Sequence, residues 1–301
     1  MLKLRKLLED ADPSKFDKDR MPQKLSQVDK DAAAAQVVGG GQDGDKGDDV
    51  IPVSNASPKI TDLKPSQTSM NNPKAMSFVV RALNQEEPFN GTNVLGGNAG
   101  DLGAFMSNDN HILDGHHRWI AAGMVNPGAK MSVNKIEWPA DPILNVLNAL
   151  TKGKFNVQKG KPASGGFNQF AKVPIEKAID DVMANGNSFG DAPEKVKAAF
   201  TKLIGKEGEP VDDATLARET KAVITSNIKK LDFNLPAGAP DRPDMPVISA
   251  KKGHVKAAIA ALEKGEIDVN PPYAQTGVAD GYKAYGKRLV EHFQKVARIK
   301  K

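Results

Sequence analysis

The sequence predicts an α+β protein in which a small α/β domain precedes a mainly helical C-terminal region. Two observations support this class. Between residues 58 and 139 the apolar spacing follows the order strand, helix, hairpin, helix, strand. After residue 140 the apolar segments have helical spacing, usually with a cap or proline at the start and often a glycine at the end. We therefore divide the chain into an N-terminal arm and linker (1–57), an α/β domain (58–139) and a helical region (140–301).

The elements of the α/β domain follow from local patterns. A strand-like stretch is followed by Pro65, and the first helix has an apolar face every three to four residues. Ser-Asn-Asp-Asn separates two apolar stretches and predicts a hairpin turn, after which a glycine precedes the second helix. The predicted elements are strand Lys59–Leu63, helix Pro73–Gln85, hairpin strands Gly103–Met106 and His111–Leu113, a helix from Asp114-Gly115 to Val125, and strand Met131–Trp138.

The helical region should contain six helices, interrupted by the stretch Leu235–Pro246 with its four prolines. Their bounds follow from caps, prolines and glycines. They are Pro142–Leu150, Pro174–Met183, Pro193–Ile204, Ala214–Leu231, His254–Leu262 and Ala279–Ile299.

Composition limits the chemistry of the 301-residue chain. Cysteine is absent, which excludes disulfides, thiol catalysis, cysteine zinc sites and iron–sulfur clusters. No apolar run approaches the ~18 residues of a membrane span, and the first residues do not resemble a secretory signal. We therefore expect a protein without membrane contact, located in the cytoplasm, or in a virion if the chain is encoded by a phage.

The two ends of the chain are polar. Residues 32–49 contain three consecutive glycines and an Asp/Gly-rich run, so they are predicted to be a linker. Residues 251–301 carry 11 basic and 5 acidic side chains, which accounts for the net charge of +5. This basic tail is a candidate contact for DNA or for an acidic protein partner. The sequence favours a solvated helix end instead, because the cations have no interleaved aromatic side chains that would specify a ligand.

One segment concentrates reactive side chains. Three of the five histidines lie in His111–Trp119, where an apolar strand ends, Gly115 permits a tight turn and a helix begins. Helix N–H groups, imidazoles and the Arg118 guanidinium suit a phosphate chain. Asp114 could hold Mg²⁺ or a substrate hydroxyl, or simply cap the helix. Because neighbouring side chains on a helix diverge by ~100°, His116 and the next histidine are poorly placed to share a metal.

These residues also carry a family resemblance. Ile112–Trp119 followed by Ile120-Ala121-Ala122 resembles the nucleotide-binding signature of the ParB/sulfiredoxin superfamily, and Ile60–Gln67 resembles its opening strand and proline turn. The resemblance implies a ParB/sulfiredoxin-like fold over residues 58–139 and a turn that holds the phosphates of ATP, ADP or CTP with Mg²⁺. The implied nucleotide-binding residues are Gly115, His117, Arg118 and Gln67. The candidate catalytic residues are Asp114 and His116, and Asp114 is also the candidate metal ligand.

The resemblance leaves several activities open. Without cysteine the chain is not a sulfiredoxin. The spelling Asp-Gly-His-His-Arg is closest to free serine kinases, but the segment Pro65-Ser66-Gln67-Thr68 lacks the acidic base that those enzymes place there. Our first hypothesis is an NTP- or NDP-dependent phosphotransferase or NTP hydrolase. The alternatives are a non-enzymatic assembly protein, as a homo-oligomer or within a phage particle, and a DNA-binding protein or nuclease.

Overall fold

The protein was analysed as a computed structural model. It describes residues 47, 49–84, 104–157, 165–166, 172–237, 239–251 and 253–267. Most of the predicted arm, the predicted helix Ala279–Ile299 and the lysines and arginines of the tail beyond residue 267 lie outside these described residues.

The chain folds into two compact units. The smaller unit comprises residues 1–53, 136–159 and 246–301, and the larger unit comprises 54–135 and 160–245. The sequence analysis placed a boundary at 139/140, whereas residues 160–245 belong to the same unit as the α/β elements. The reason is packing, because the helices after residue 172 bury their apolar faces against the two helices of the predicted α/β domain.

The described residues form an α+β structure with a five-stranded mixed sheet and seven α-helices. The strands are β1 Val53–Ala56, β2 Lys64–Pro65, β3 Ser69–Met70, β4 Ala104–Ser107, β5 His111–Asp114, β6 Val133–Ile136 and β7 Gly165–Gly166. The sheet order is β1-β6-β4-β5-β2, where β2 runs parallel to β5 and β4 runs antiparallel to it. A separate two-stranded antiparallel sheet pairs β3 with β7.

Five helices of the larger unit enclose its core. They are α1 Asn72–Leu83, α2 His116–Val125, α4 Lys172–Asn185, α5 Pro193–Leu203 and α6 Asp213–Ile228. Helix α1 packs against α2, α4 and α5, while α6 packs against α2, α4 and α5. Trp119 is fully buried and its Nε1–H donates to the Ile60 carbonyl at 3.0 Å, so this tryptophan belongs to the core.

The smaller unit contributes two described helices, α3 Ala140–Ala149 and α7 His254–Glu263. A single π-helical turn, Leu150–Lys154, extends α3, and the Thr151 hydroxyl accepts the Val247 N–H at 3.2 Å. Each helix in the described part of the chain is too short or too polar to cross a bilayer.

The element predictions were mostly correct. The hairpin, both helices of the α/β domain and the five described C-terminal helices are confirmed, with ends shifted by a few residues. The strand predicted at Lys59–Leu63 is wrong, because Ile60–Asp62 is a 3₁₀ turn. Ile60 and Leu63 are both buried, so their three-residue spacing reflects a turn that places them on one side. Lys64 and Pro65 form the strand instead.

Candidate functional site

The turn between β5 and α2 depends on Gly115. Its φ of +109° lies in a region that side chains rarely adopt. A Cβ at this position would lie 3.0 Å from the Cβ of Ala104 and 3.2 Å from Nη2 of Arg118. The Arg118 guanidinium therefore folds back over the turn.

The start of α2 has no side-chain cap among the described residues. The N–H groups of Arg118 and Trp119 donate to the Gly115 carbonyl at 2.9 and 3.0 Å. The first turn contains two histidines and one arginine and no acidic residue. The charge of Arg118 at this end opposes the helix dipole, and a bound anion would relieve that opposition.

His116 is buried and fastens the turn to the segment that follows β2. Its Nε2 accepts the Ser66 N–H at 3.0 Å, and the Ser66 hydroxyl donates to the Ile112 carbonyl at 2.5 Å. Burial, with smaller contributions from the charges of His111 and Arg242, lowers the pKa of His116 to about 3. This imidazole is therefore neutral at pH 7, and the nitrogen that would exchange a proton is engaged by a backbone amide. The geometry gives it a positioning role.

His111 supports the same segment from the adjacent strand. Its Nδ1–H donates to the Pro65 carbonyl at 2.8 Å, across the parallel pairing of β2 with β5. With Ser66 held by His116, the two histidines hold the carbonyl and the N–H of the single peptide bond that joins Pro65 to Ser66. The proline turn and the histidine turn are thus one rigid structure.

The charges of three cationic side chains, Lys74, Arg118 and Arg242, act on His117. Burial lowers the pKa of its imidazole well below the usual value, and the charges of Arg242 and Lys74 lower it further. His116 and Arg118 make smaller contributions in the same direction. Its Nε2 is buried and has no hydrogen-bond partner among the described residues. Buried ring nitrogens are normally paired. A buried polar atom surrounded by positive charge is therefore the strongest indication of a ligand at this site.

Arg118 and Asp114 lie on either side of the glycine. Burial lowers the pKa of Arg118, and the nearby Asp114 carboxylate partly opposes that shift. The guanidinium remains charged, as arginine does in proteins. Asp114, at the end of β5, is thus an acidic group close enough to this phosphate-binding candidate to orient it.

Sequence reasoning missed Arg242, which reaches the site from the proline-rich stretch. The Thr68 N–H donates to the Pro240 carbonyl at 2.9 Å, and the Arg242 N–H donates to the Ser69 hydroxyl at 3.1 Å. The Thr68 hydroxyl also donates to the Asp241 carboxylate. These bonds attach the stretch to the segment between β2 and β3, and the charge of Arg242 acts on both His116 and His117. Lys74, in the first turn of α1, was also missed. No local pattern links either residue to the turn.

Gln67, predicted as a nucleotide-binding residue, follows the serine that His116 holds. Its side chain is buried, and its Nε2 has no hydrogen-bond partner within the described ranges. The buried Oδ1 of Asn72, at the start of α1, also has no hydrogen-bond partner within the described ranges. Such atoms normally pair with protein, water or ligand, so both are candidates for contact with a neutral polar part of a ligand.

Asp114 was also the candidate Mg²⁺ ligand. The described residues contain no group of three or more His, Asp or Glu side chains that could hold a metal by themselves. Mg²⁺ is commonly held by one or two carboxylates together with the phosphates of a substrate. The single carboxylate of Asp114 is compatible with that mode.

Comparison of the chain with models of known protein families finds no match, and comparisons with curated proteins and with solved structures find none either. The resemblance to the ParB/sulfiredoxin superfamily therefore depends only on the residues of the two segments quoted above, and it stays a prediction.

Proposed function

We propose that this protein binds the phosphates of a nucleotide, ATP, ADP or CTP, at the turn Asp114–Arg118. The observation that carries the proposal is the buried Nε2 of His117, which has no hydrogen-bond partner among the described residues although the charges of Arg242, Lys74 and Arg118 act on this imidazole. Like charges brought together at a buried position raise the free energy of the folded protein. A polyanion bound there removes that repulsion, which gives the arrangement a physical reason.

The ligand class follows from the kind of donors present. The start of α2 directs backbone N–H groups at the turn, and the guanidinium folded over Gly115 offers paired N–H donors. Fork-shaped donors and helix N-termini both match phosphate oxygens. The charges of Arg118, Arg242 and Lys74, from three separate elements, all act on His117, which favours a ligand with more than one phosphate.

The reaction proposed with this binding is transfer of a phosphoryl group or hydrolysis of an NTP. In it, Arg118 would neutralise charge on the phosphates, and the Nε2 of His117 would hydrogen-bond to the ligand. Asp114 would orient the nucleophile or Mg²⁺, whose role is to draw charge from the phosphate oxygens. His116 contributes by holding Ser66 in place, because its Nε2 already accepts a backbone hydrogen bond. The general base is not assigned.

The test is a calorimetric titration of ATP, ADP, CTP and GTP with Mg²⁺ into wild type and Arg118→Ala. We expect saturable binding by wild type and about 10- to 100-fold weaker binding by the variant, as for loss of a charged hydrogen-bonding partner. Arg218→Ala is the matched control, since the Arg218 side chain is 71% exposed on α6 and should leave binding unchanged. Wild type that binds none of these nucleotides contradicts the proposal.

A non-catalytic binding or assembly protein is the second candidate. Two observations favour it, namely the lack of a carboxylate after Pro65 and the engagement of the His116 Nε2. Phosphate release from bound ATP separates the two candidates. Binding without turnover, together with recovery of the protein in a defined particle or oligomer, supports assembly. DNA binding through the basic tail would appear instead as salt-sensitive affinity for DNA.

A further inference from the structure

A fixed loop connects α4 to α5 in the larger unit. Asn187 organises it, because its Oδ1 accepts the N–H groups of Phe189 and Asp191 at 2.9 and 3.2 Å. Its Nδ2 donates to the Asp191 carboxylate at 2.8 Å. The Ser188 N–H donates to the Ser77 hydroxyl at 3.0 Å, which attaches the loop to α1. The loop therefore has one well-determined conformation.

This loop holds an aromatic ring at the surface. Phe189 is 37% exposed, although its neighbours in the loop are fully hydrogen-bonded. Its ring meets the Phe78 ring edge-on at a centroid distance of 4.9 Å, and the Arg81 guanidinium carbon lies 4.7 Å from its centroid. Phe189 and Arg81 thus form a stacked aromatic–cation pair, which we call the Phe189 platform.

The Phe189 platform lies beside the cationic site. The Phe78 ring is 6.5 Å from the His117 ring and 4.9 Å from the Phe189 ring. The Phe189 ring is therefore no farther from the His117 ring than the sum of these separations, about 11.4 Å. Lys74, whose charge acts on His117, lies 6.0 Å from the Phe78 centroid. The rings of His117, Phe78 and Phe189 therefore form a row from the proposed phosphate position to the Phe189 platform. Lys74 and Arg81 lie beside this row.

We infer that the Phe189 platform is a stacking subsite for the base of the nucleotide whose phosphates bind at His117 and Arg118. The inference rests on the proposed function and extends it to the other end of the ligand. Aromatic rings and guanidinium planes stack on every base, because each base has a flat π-face. A ligand with phosphates at one end and a flat ring at the other matches the row. The platform should therefore favour nucleotides over bare polyphosphate without strong selection among bases.

The test compares ATP with inorganic tripolyphosphate, each with Mg²⁺, in wild type, Phe189→Ala and Leu235→Ala. Phe189→Ala should weaken ATP binding by about 5- to 100-fold, the range for loss of one base stack. Binding of tripolyphosphate should change by less than about twofold, since stacking involves only the base. Leu235 is 38% exposed and is the matched apolar control, which should alter neither ligand.

A second variant distinguishes loss of base stacking from loss of the folded structure. Phe189→Trp keeps an aromatic face, so it should retain ATP binding, and ATP but not tripolyphosphate should quench the new indole fluorescence. If wild type binds ATP and tripolyphosphate equally, or Phe189→Ala weakens both alike, the stacking subsite is overturned while the phosphate site stands. If wild type binds neither ligand, both proposals fail.

Discussion

Helices α1 and α2 pack against each other in the larger unit, and the backbone N–H groups at their starts are capped differently. Asn71 caps α1, and its Oδ1 accepts the Lys74 N–H at 2.9 Å. Helix α2 begins after Gly115 without a side-chain cap among the described residues, and its first turn is cationic. The charge of Lys74 acts on His117 across the short gap between the two helices.

This difference in capping distinguishes a helix start that serves only the fold from one that could also bind a ligand. The start of α1 follows the ordinary capping rule, so this turn needs no ligand. The start of α2 departs from it, because the Arg118 guanidinium stands where a helix favours negative charge. Local departures of this kind concentrate at functional sites. The predictions below test whether the start of α2, unlike that of α1, binds a ligand, from the largest expected effect to the smallest.

The largest effect is expected from pH, through His116. Its pKa is about 3 in the folded protein against 6.5 ordinarily, so between these values the unfolded chain binds a proton that the folded chain does not. The stabilisation is complete above about pH 6.5 and is lost as the pH falls toward 3. The slope is about 1.4 kcal/mol per pH unit for each such histidine. Chemical denaturation between pH 4.5 and 7.5 measures it.

The control for the pH prediction is His116→Gln, whose amide oxygen can still accept the Ser66 N–H. The variant should show a shallower decline in unfolding free energy on acidification. His117 shifts in the same direction, so some pH dependence should remain. Parallel curves for wild type and variant between pH 4.5 and 6.5 would contradict the assignment.

Gly115→Ala should have the next largest effect. A residue forced to φ of +109° is strained by about 1–3 kcal/mol, and the new Cβ would also displace the Arg118 guanidinium. We expect a lower unfolding free energy together with weaker nucleotide binding. Gly208→Ala is the matched control, with φ of +82° and open space around the added Cβ. It should lose about 1–2 kcal/mol of stability and no affinity. Equal losses of affinity in both variants would refute a specific role for the turn.

The smallest effect is expected at the start of α1. Asn71→Ala removes the cap that receives the Lys74 N–H and should cost about 1 kcal/mol of stability. Nucleotide affinity should stay within about twofold of wild type, because α1 follows the ordinary capping rule. Denaturation and calorimetry on one preparation measure both quantities. A large loss of affinity would show that the two helix starts act as one site.

The histidine turn could be predicted because its determinants are neighbours in sequence. Gly115, with the histidines and Arg118 beside it, specifies a sharp turn and a cationic helix start within a few residues. The strand at Lys59–Leu63 was predicted wrongly because a short apolar stretch does not distinguish strand from turn. Arg242 could not be predicted, since its backbone N–H bonds to the hydroxyl of Ser69, which lies 173 residues earlier in the chain.

The sequence by itself determined the α+β class, the hairpin, the turn at Gly115 and the helices after residue 140. Each depends on turn chemistry, capping and apolar spacing over a few residues. Only the tertiary structure decided that residues 160–245 join the α/β elements in one unit. It also decided that Arg242 and Phe189 stand near His117. The physical reason is that burial of apolar faces is non-directional, so the local pattern shows which faces are buried but not which distant segments meet.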